Sequence, residues 1–292
     1  MKKQSFQKAS FRFLLLVFCS ALLWACRTGE PQPEKDYSLL EKNGIFREQF
    51  DSTNLADSRY TDNNLVFKSG TRFLYSFRHI SKEGEEFYFR FVPTSDNHFN
   101  SWVFVPADSV SDKSIQQVQI TVKPGLEPMI HNSPDYDQTV IKFEYPLENG
   151  RSEFASHTGV IENEKNIWMH PPRNQYFRIL ELNPFPFIKA PYEVGSQWQW
   201  ELEIGSFWGD ERWKTWEGSI TNKYEYAITG KRTENTIFGA LKVYEISSTA
   251  NSSIGETGLT ALFNEEYGFI ELDYRNIDGS RTVLELVEHE RI

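Results

Sequence analysis

A side-chain period of two restricts this chain more than any other feature. Trp198, Trp200, Leu202 and Ile204 alternate with Gln197, Gln199, Glu201 and Glu203, giving an extended segment one apolar and one wet face. The same period recurs at Phe73, Tyr75, Phe77; at Phe87, Phe89, Phe91; at Val118, Ile120, Val122; at Ile141, Phe143, Tyr145; at Tyr224, Tyr226, Ile228; and at Leu284, Leu286. The expected fold is all-β, on a mostly antiparallel sheet. Asp278-Gly279 favours a tight turn between strands at Phe269 to Asn276 and Arg281 to Glu288. Lys82-Glu83-Gly84 similarly joins Arg72 to Ile80 with Glu86 to Val92. Apolar stripes at helical spacing are not sustained anywhere, so helices should be few and short, with one expected at Tyr37 to Lys42.

Asn183-Pro-Phe-Pro-Phe-Ile-Lys-Ala-Pro191 interrupts the rhythm, because prolines remove ladder donors and favour an extended path. It divides the chain into β-rich parts over 37–183 and 184–292, either two domains or one long sheet. Beyond it, Gly195-Ser-Gln-Trp198, Ile237-Phe-Gly239-Ala-Leu-Lys-Val243, Tyr267-Gly268-Phe269 and Ile277-Asp-Gly279-Ser280 resemble a family of uncharacterised Bacteroidota lipoproteins. That resemblance covers roughly the last third of the chain. It implies a strongly curved antiparallel sheet, a half-barrel or sandwich, distantly like that of outer-membrane-lipoprotein carrier proteins.

The N-terminus carries a separate message. Lys2, Lys3, Lys8 and Arg12 precede an uncharged run from Phe13 to Ala25, the layout of a secretory signal peptide over residues 1–25. The run is too short to span a bilayer, which takes about 20 apolar residues. Leu23-Trp24-Ala25-Cys26 resembles a bacterial lipobox, with Trp24 departing from the small residue usual there. It implies acylation of Cys26, palmitate among the chains, and anchoring to a membrane. Several acyl chains are needed for a stable anchor, since one chain binds only marginally. Residues 26–36 are polar, Pro-spaced and rich in charge, the composition of a flexible tether. Glu30 and Glu34-Lys35-Asp36 loosely resemble surface-export signals of Bacteroidota lipoproteins. The expected location is the cell envelope, at the outer membrane, on its periplasmic face or the cell surface.

Composition limits the chemistry. The two cysteines are Cys19 and Cys26, so cleavage and acylation leave no thiol for a disulfide, a metal or catalysis. Cleavage removes four cations and no acids, taking the net charge from −10 to −14. Nucleic acid is excluded as a partner on that ground. His79, His98, His131, His157, His170 and His289 show no metal-ligand spacing, and Asp135 with Asp137 lacks the rest of a calcium loop. The sequence shows no GxSxG, SxxK, P-loop or dinucleotide fingerprint, so neither a cofactor nor a metal is expected.

Two groups carry binding potential. Trp208, Trp213 and Trp216 surround Gly209, Asp210, Glu211 and Lys214 at an expected hairpin tip, where indole faces could meet sugars or apolar ligands. Trp198 and Trp200 share a face with Leu202 and Ile204 and read as core. His170 precedes Pro171-Pro172, and Arg173 follows, so a stiff backbone would aim both side chains. With His157, Glu144 or Glu162 nearby, a carboxylate-oriented base or an anion site would result. A loop capping the core is the alternative. Three functional readings follow. The leading one is a non-enzymatic lipoprotein binding an apolar or polymeric ligand, or a protein, in its concavity. The second is a carbohydrate-binding module using Trp208, Trp213 and Trp216, and the third a hydrolase using His170.

Overall fold

The computed structural model describes residues 36–50, 58–92 and 102–291. The expected signal peptide, Cys26 and nearly all of the expected tether lie outside the described residues. The strands are β1 (Tyr37–Lys42), β2 (Ile45–Phe50), β3 (Thr71–Ile80), β4 (Glu86–Phe91), β5 (Trp102–Pro106), β6 (Ser114–Ile115), β7 (Gln117–Val122), β8 (Thr139–Pro146) and β9 (Ser152–Glu162). They continue as β10 (Asn166–Met169), β11 (Phe187–Lys189), β12 (Gln197–Gly205), β13 (Ser219–Thr236), β14 (Gly239–Ser252), β15 (Gly255–Asn264), β16 (Gly268–Arg275) and β17 (Arg281–Arg291). Both turns read from sequence are present, at β3–β4 and β16–β17.

Fifteen strands form one sheet, in the order β11-β10-β9-β8-β7-β3-β17-β16-β15-β14-β13-β12, with β4 branching from β3 and carrying β5 and β6. Strands from both sides of the Pro-rich stretch therefore share the sheet. Its two ends, β11 and β12, are consecutive in sequence and joined by residues 190–196 alone. So short a link can be made only if the sheet curls back on itself, and it does, into a nearly closed barrel. At the seam the rings of Phe187 and Trp198 are 5.7 Å apart. Pro184 and Pro186 sit beside the short edge strand β11, where a missing donor costs no ladder bond.

The inward faces are aromatic. Phe73, Tyr75 and Phe77 of β3, Phe143 and Tyr145 of β8, and Tyr224 and Tyr226 of β13 are all buried. Trp198 and Trp200 belong to this core. Each stands opposite a tyrosine in the β12–β13 register and stacks on it, Trp198 on Tyr226 at 5.4 Å and Trp200 on Tyr224 at 4.5 Å.

The barrel holds part of its own chain. A 3-10 helix, Gln175–Leu182, is buried at every residue, and Phe185 is buried beyond it. Backbone removed from water without a ladder partner needs side-chain partners, and the wall supplies them. The Asn222 amide and Thr257 hydroxyl donate to Leu182 O, both at 2.8 Å. Asn183 Nδ2 donates to the carbonyls of Gly258 and Arg275, and Tyr226 Oη to that of Phe185.

The helix expected at Tyr37–Lys42 is instead β1, paired with β2. The reason is the turn after it: Asn43 and Gly44 both have positive φ, 53° and 84°, the geometry that an Asn-Gly hairpin loop requires. This hairpin lies at the seam. Phe46 N–H donates to Asn166 Oδ1 at 2.7 Å, Asn163 Nδ2 donates to Phe46 O, and Lys189 Nζ donates to Gly44 O at 3.1 Å. A Cβ on Gly44 would stand 2.4 Å from Gln199 O, so this turn touches β12 as well as β11. Gly44→Ala is accordingly expected to lower the unfolding free energy by about 1–3 kcal/mol, from left-handed backbone strain and lost seam contact. Urea denaturation of the full chain measures this.

Candidate functional site at the rim of the barrel

The central helix enters the barrel after Pro171-Pro172 and brings charged groups with it. His170 packs its ring against Trp168 and Phe185, at 4.6 and 5.2 Å, and its Nδ1 meets the guanidinium of Arg173. Burial first, then Arg173 and Arg47, hold the His170 pKa well below its ordinary value, so the ring is neutral. Arg173 pairs with buried Glu181 at 2.8 Å. Burial pushes the Glu181 carboxyl up to about 7 against the opposing pull of Arg173.

The carboxylate expected beside His170 is thus replaced by a cation. Glu162 accepts backbone N–H groups of Leu65, Val66 and Phe67 at 2.8 to 2.9 Å, holding that loop. Glu144 accepts from Lys142 Nζ at 2.7 Å and from Gln119. His157 stands opposite Lys142 in the β8–β9 register. Partial burial, then Lys142 and Lys123, lower its pKa. His157, Glu144 and Glu162 are therefore each committed to surroundings other than His170.

The three tryptophans do lie at the β12–β13 tip, but they fold it onto the barrel. Trp213 is buried, packs edge-on against Tyr176 at 5.5 Å and donates from Nε1 to Trp208 O at 3.3 Å. Trp208, half-buried, lies 5.3 Å from the Arg173 guanidinium and 5.9 Å from that of Arg178. Trp216 is also half-buried, with its ring 3.2 Å from where a Cβ on Gly209 would stand. Cation–π pairs of this kind contribute about 0.5–2 kcal/mol each, more when desolvated. The exposed ring of the tip is Phe207, at 65%.

Beside this tip a cleft of about 390 Å³ opens, lined by His79, Ser81, Lys82, Glu83, Glu85, Phe87, Phe104, Tyr176, Arg212, Asp278 and Ser280. Five separate segments meet there: the β3–β4 turn, β5, the central helix, the tip and the β16–β17 turn. Phe104 is 42% exposed and lies 5.0 Å from His79 and 4.8 Å from Tyr176. Arg212 lies over Tyr176 and Trp213, at 5.6 and 5.1 Å, while Asp210 grips it at 2.8 and 2.9 Å. Tyr176 donates its hydroxyl proton to Asp278 Oδ2 at 2.7 Å.

His79 is 3% exposed, and its Nδ1 has no hydrogen-bond partner. Burial lowers its pKa to about 4, against a smaller opposing effect of Asp278. The ring is therefore neutral at neutral pH, with one unused polar atom. Phe104, Tyr176 and Arg212 carry no motif in the sequence, and His79 stands there only among the histidines without metal-ligand spacing. The available signal was His79 itself, a polar residue continuing the inward row Phe73, Tyr75, Phe77.

A larger groove of about 770 Å³ lies where β4 diverges from β7 along β3, lined among others by Arg72, Arg78, Gln117, Gln119, Glu285 and Glu288. Its arginines are already engaged: Arg72 with Glu288 at 2.5 Å and Glu290 at 2.6 Å, and Arg78 with Glu86 at 3.7 Å.

No protein-family model matches this sequence, and no curated protein matches it. Three solved structures are similar in outline. One is described as an exported protein with a YmcC-like fold from Bacteroides fragilis, at 9% identity and TM-score 0.42, covering 77% of this chain and 98% of that one. A second, described as a lipoprotein from Parabacteroides distasonis, gives 9% and 0.38, covering 77% and 97%. The third is described as the lipoprotein YmcC from Escherichia coli, at 10% and 0.30, covering 82% and 98%.

Proposed function

We propose that this chain is a cell-envelope lipoprotein, anchored to the outer membrane through lipid on Cys26, whose β-domain binds a ligand non-enzymatically in the cleft at the barrel rim. One observation carries the binding reading. The concave side of the sheet is occupied by the buried helix Gln175–Leu182, while a cleft of about 390 Å³ remains open at the rim, within the usual size of small-ligand sites. A ligand deep in the concavity would have to displace the core. The anchor rests on the charge layout of residues 1–25 and on Leu23-Trp24-Ala25-Cys26. The hydrolase reading loses its support with the carboxylate it needed beside His170.

Two measurements test the proposal. Labelled palmitate should enter the full chain and be absent from Cys26→Ser, which should leave the membrane fraction; equal labelling of both would refute the anchor. A crystallographic screen of ring-containing fragments should place at least one between Phe104 and Arg212. Hits confined to other surfaces would remove the cleft as the site.

A further inference from the structure

We infer that the rim cleft takes a neutral sugar ring of a glycan, an inference that rests on the binding reading above. The charge of the lining disfavours anions. Of the cleft's two cations, Arg212 is held by Asp210 at 2.8 Å, and Lys82 stands 3.7 Å from Glu83. Asp278 accepts from Tyr176 and from the backbone N–H and hydroxyl of Ser280. What remains for a ligand is the Glu85 carboxylate and the hydroxyl proton of Ser81, whose Oγ accepts from the backbone N–H groups of Glu83 and Glu85; the unpartnered Nδ1 of His79 is closed to solvent. Carboxylates outnumber cations in the lining, Glu83, Glu85 and Asp278 against Lys82 and Arg212, which disfavours an anion. A molecule rich in hydroxyl groups finds an acceptor in Glu85 and a donor in Ser81.

The ring geometry points the same way. A cage for a quaternary ammonium needs several aromatic faces turned on one point. Here the faces are largely spent on each other: Phe87 meets Phe104 at 5.6 Å and 66°, Tyr176 meets His79 at 4.9 Å and 74°, and Tyr176 meets Phe104 at 4.8 Å and 73°. Phe104, 42% exposed, offers a single flat surface. One apolar surface bordered by hydrogen-bonding groups matches a pyranose, with its C–H face and its ring of hydroxyls. The cleft volume of about 390 Å³ admits one or two such rings.

The test uses the full lipidated chain in a non-glycosidic detergent and isothermal titration with neutral tetrasaccharides of the β-glucan, mannan, galactan and chitin types. Tetramethylammonium and an oligogalacturonate serve as the cationic and anionic probes. Saturable binding of at least one neutral saccharide is expected, weakened tenfold or more by Phe104→Ala and retained by Phe104→Trp. Binding of either charged probe in place of the neutral saccharides would overturn the glycan inference. So would neutral binding indifferent to Phe104→Ala, or no saccharide binding by a protein whose cleft accepts ring fragments in crystals. If fragments also avoid the cleft, the binding reading itself falls.

Discussion

Phe177→Ala is expected to cost about 3–5 kcal/mol of unfolding free energy, the range for deleting a fully buried aromatic ring. Phe177 is 1% exposed and is the point at which the central helix meets the wall. It stacks on Tyr145 at 5.4 Å and 15°, and meets Phe77, Phe89 and Trp102 at 5.1, 5.4 and 6.1 Å. These neighbours come from four different strands, none free to move inward without breaking its own ladder, so the cavity would persist rather than collapse. Urea denaturation should show a lower midpoint with an unchanged slope. A cost below about 1 kcal/mol would mean that the helix does not support the barrel.

The second large effect is expected from Arg173→Met, again about 3–5 kcal/mol, because it strands a buried acid. Its pH dependence distinguishes it from Phe177→Ala. Glu181 titrates near 7 in the folded chain, above the ordinary 4.5. The native state therefore binds the extra proton, and stability falls as pH rises from about 4.5 through 7. Without Arg173 the carboxyl moves higher still, and deprotonation costs more. His170 acts in the same direction: its lowered pKa, due in part to Arg173, destabilises the native chain as pH falls below 6.5, and that penalty is relieved in the variant. The loss should thus be larger at pH 8 than at pH 5. Arg173→Met combined with Glu181→Gln should remove the part of this difference due to Glu181. A loss identical at both pH values would show that the pair does not titrate as described.

Much of the sheet was legible because its information is local. Alternation at Trp198 to Ile204 and the Asp278-Gly279 turn each specify a strand or hairpin without reference to distant residues. The β1–β2 hairpin was equally local, and the Asn43-Gly44 dipeptide is its signal. Tyr37 to Lys42 reads as helix only when that turn is left aside. The central helix was harder to see. Tyr176, Phe177, Ile179, Leu180 and Leu182 are apolar on every side, so no amphipathic stripe announces a helix, and Arg178 and Glu181 read as surface residues until a closed sheet surrounds them. The candidate site was least legible. Trp208, Trp213 and Trp216 drew attention by density, yet the sequence does not tell that Arg173 and Arg178 would turn inward beside Trp208. Phe104, Tyr176 and His79 are brought together only by barrel closure, which no short stretch encodes.

The hairpin at the seam has a consequence for how copies of this chain behave toward one another. Among the described residues, strands β11 and β12 each end the sheet with a side that no further strand pairs, and unpaired edges are templates for adding strands from other molecules. The Asn43-Gly44 turn, held between Lys189 and Gln199, stands where such an addition would begin. A chain that loses residues 37–50 to a protease would keep most of its core but gain two adhesive edges. Trimming at the N-terminus would then appear first as aggregation, well before it appeared as unfolding.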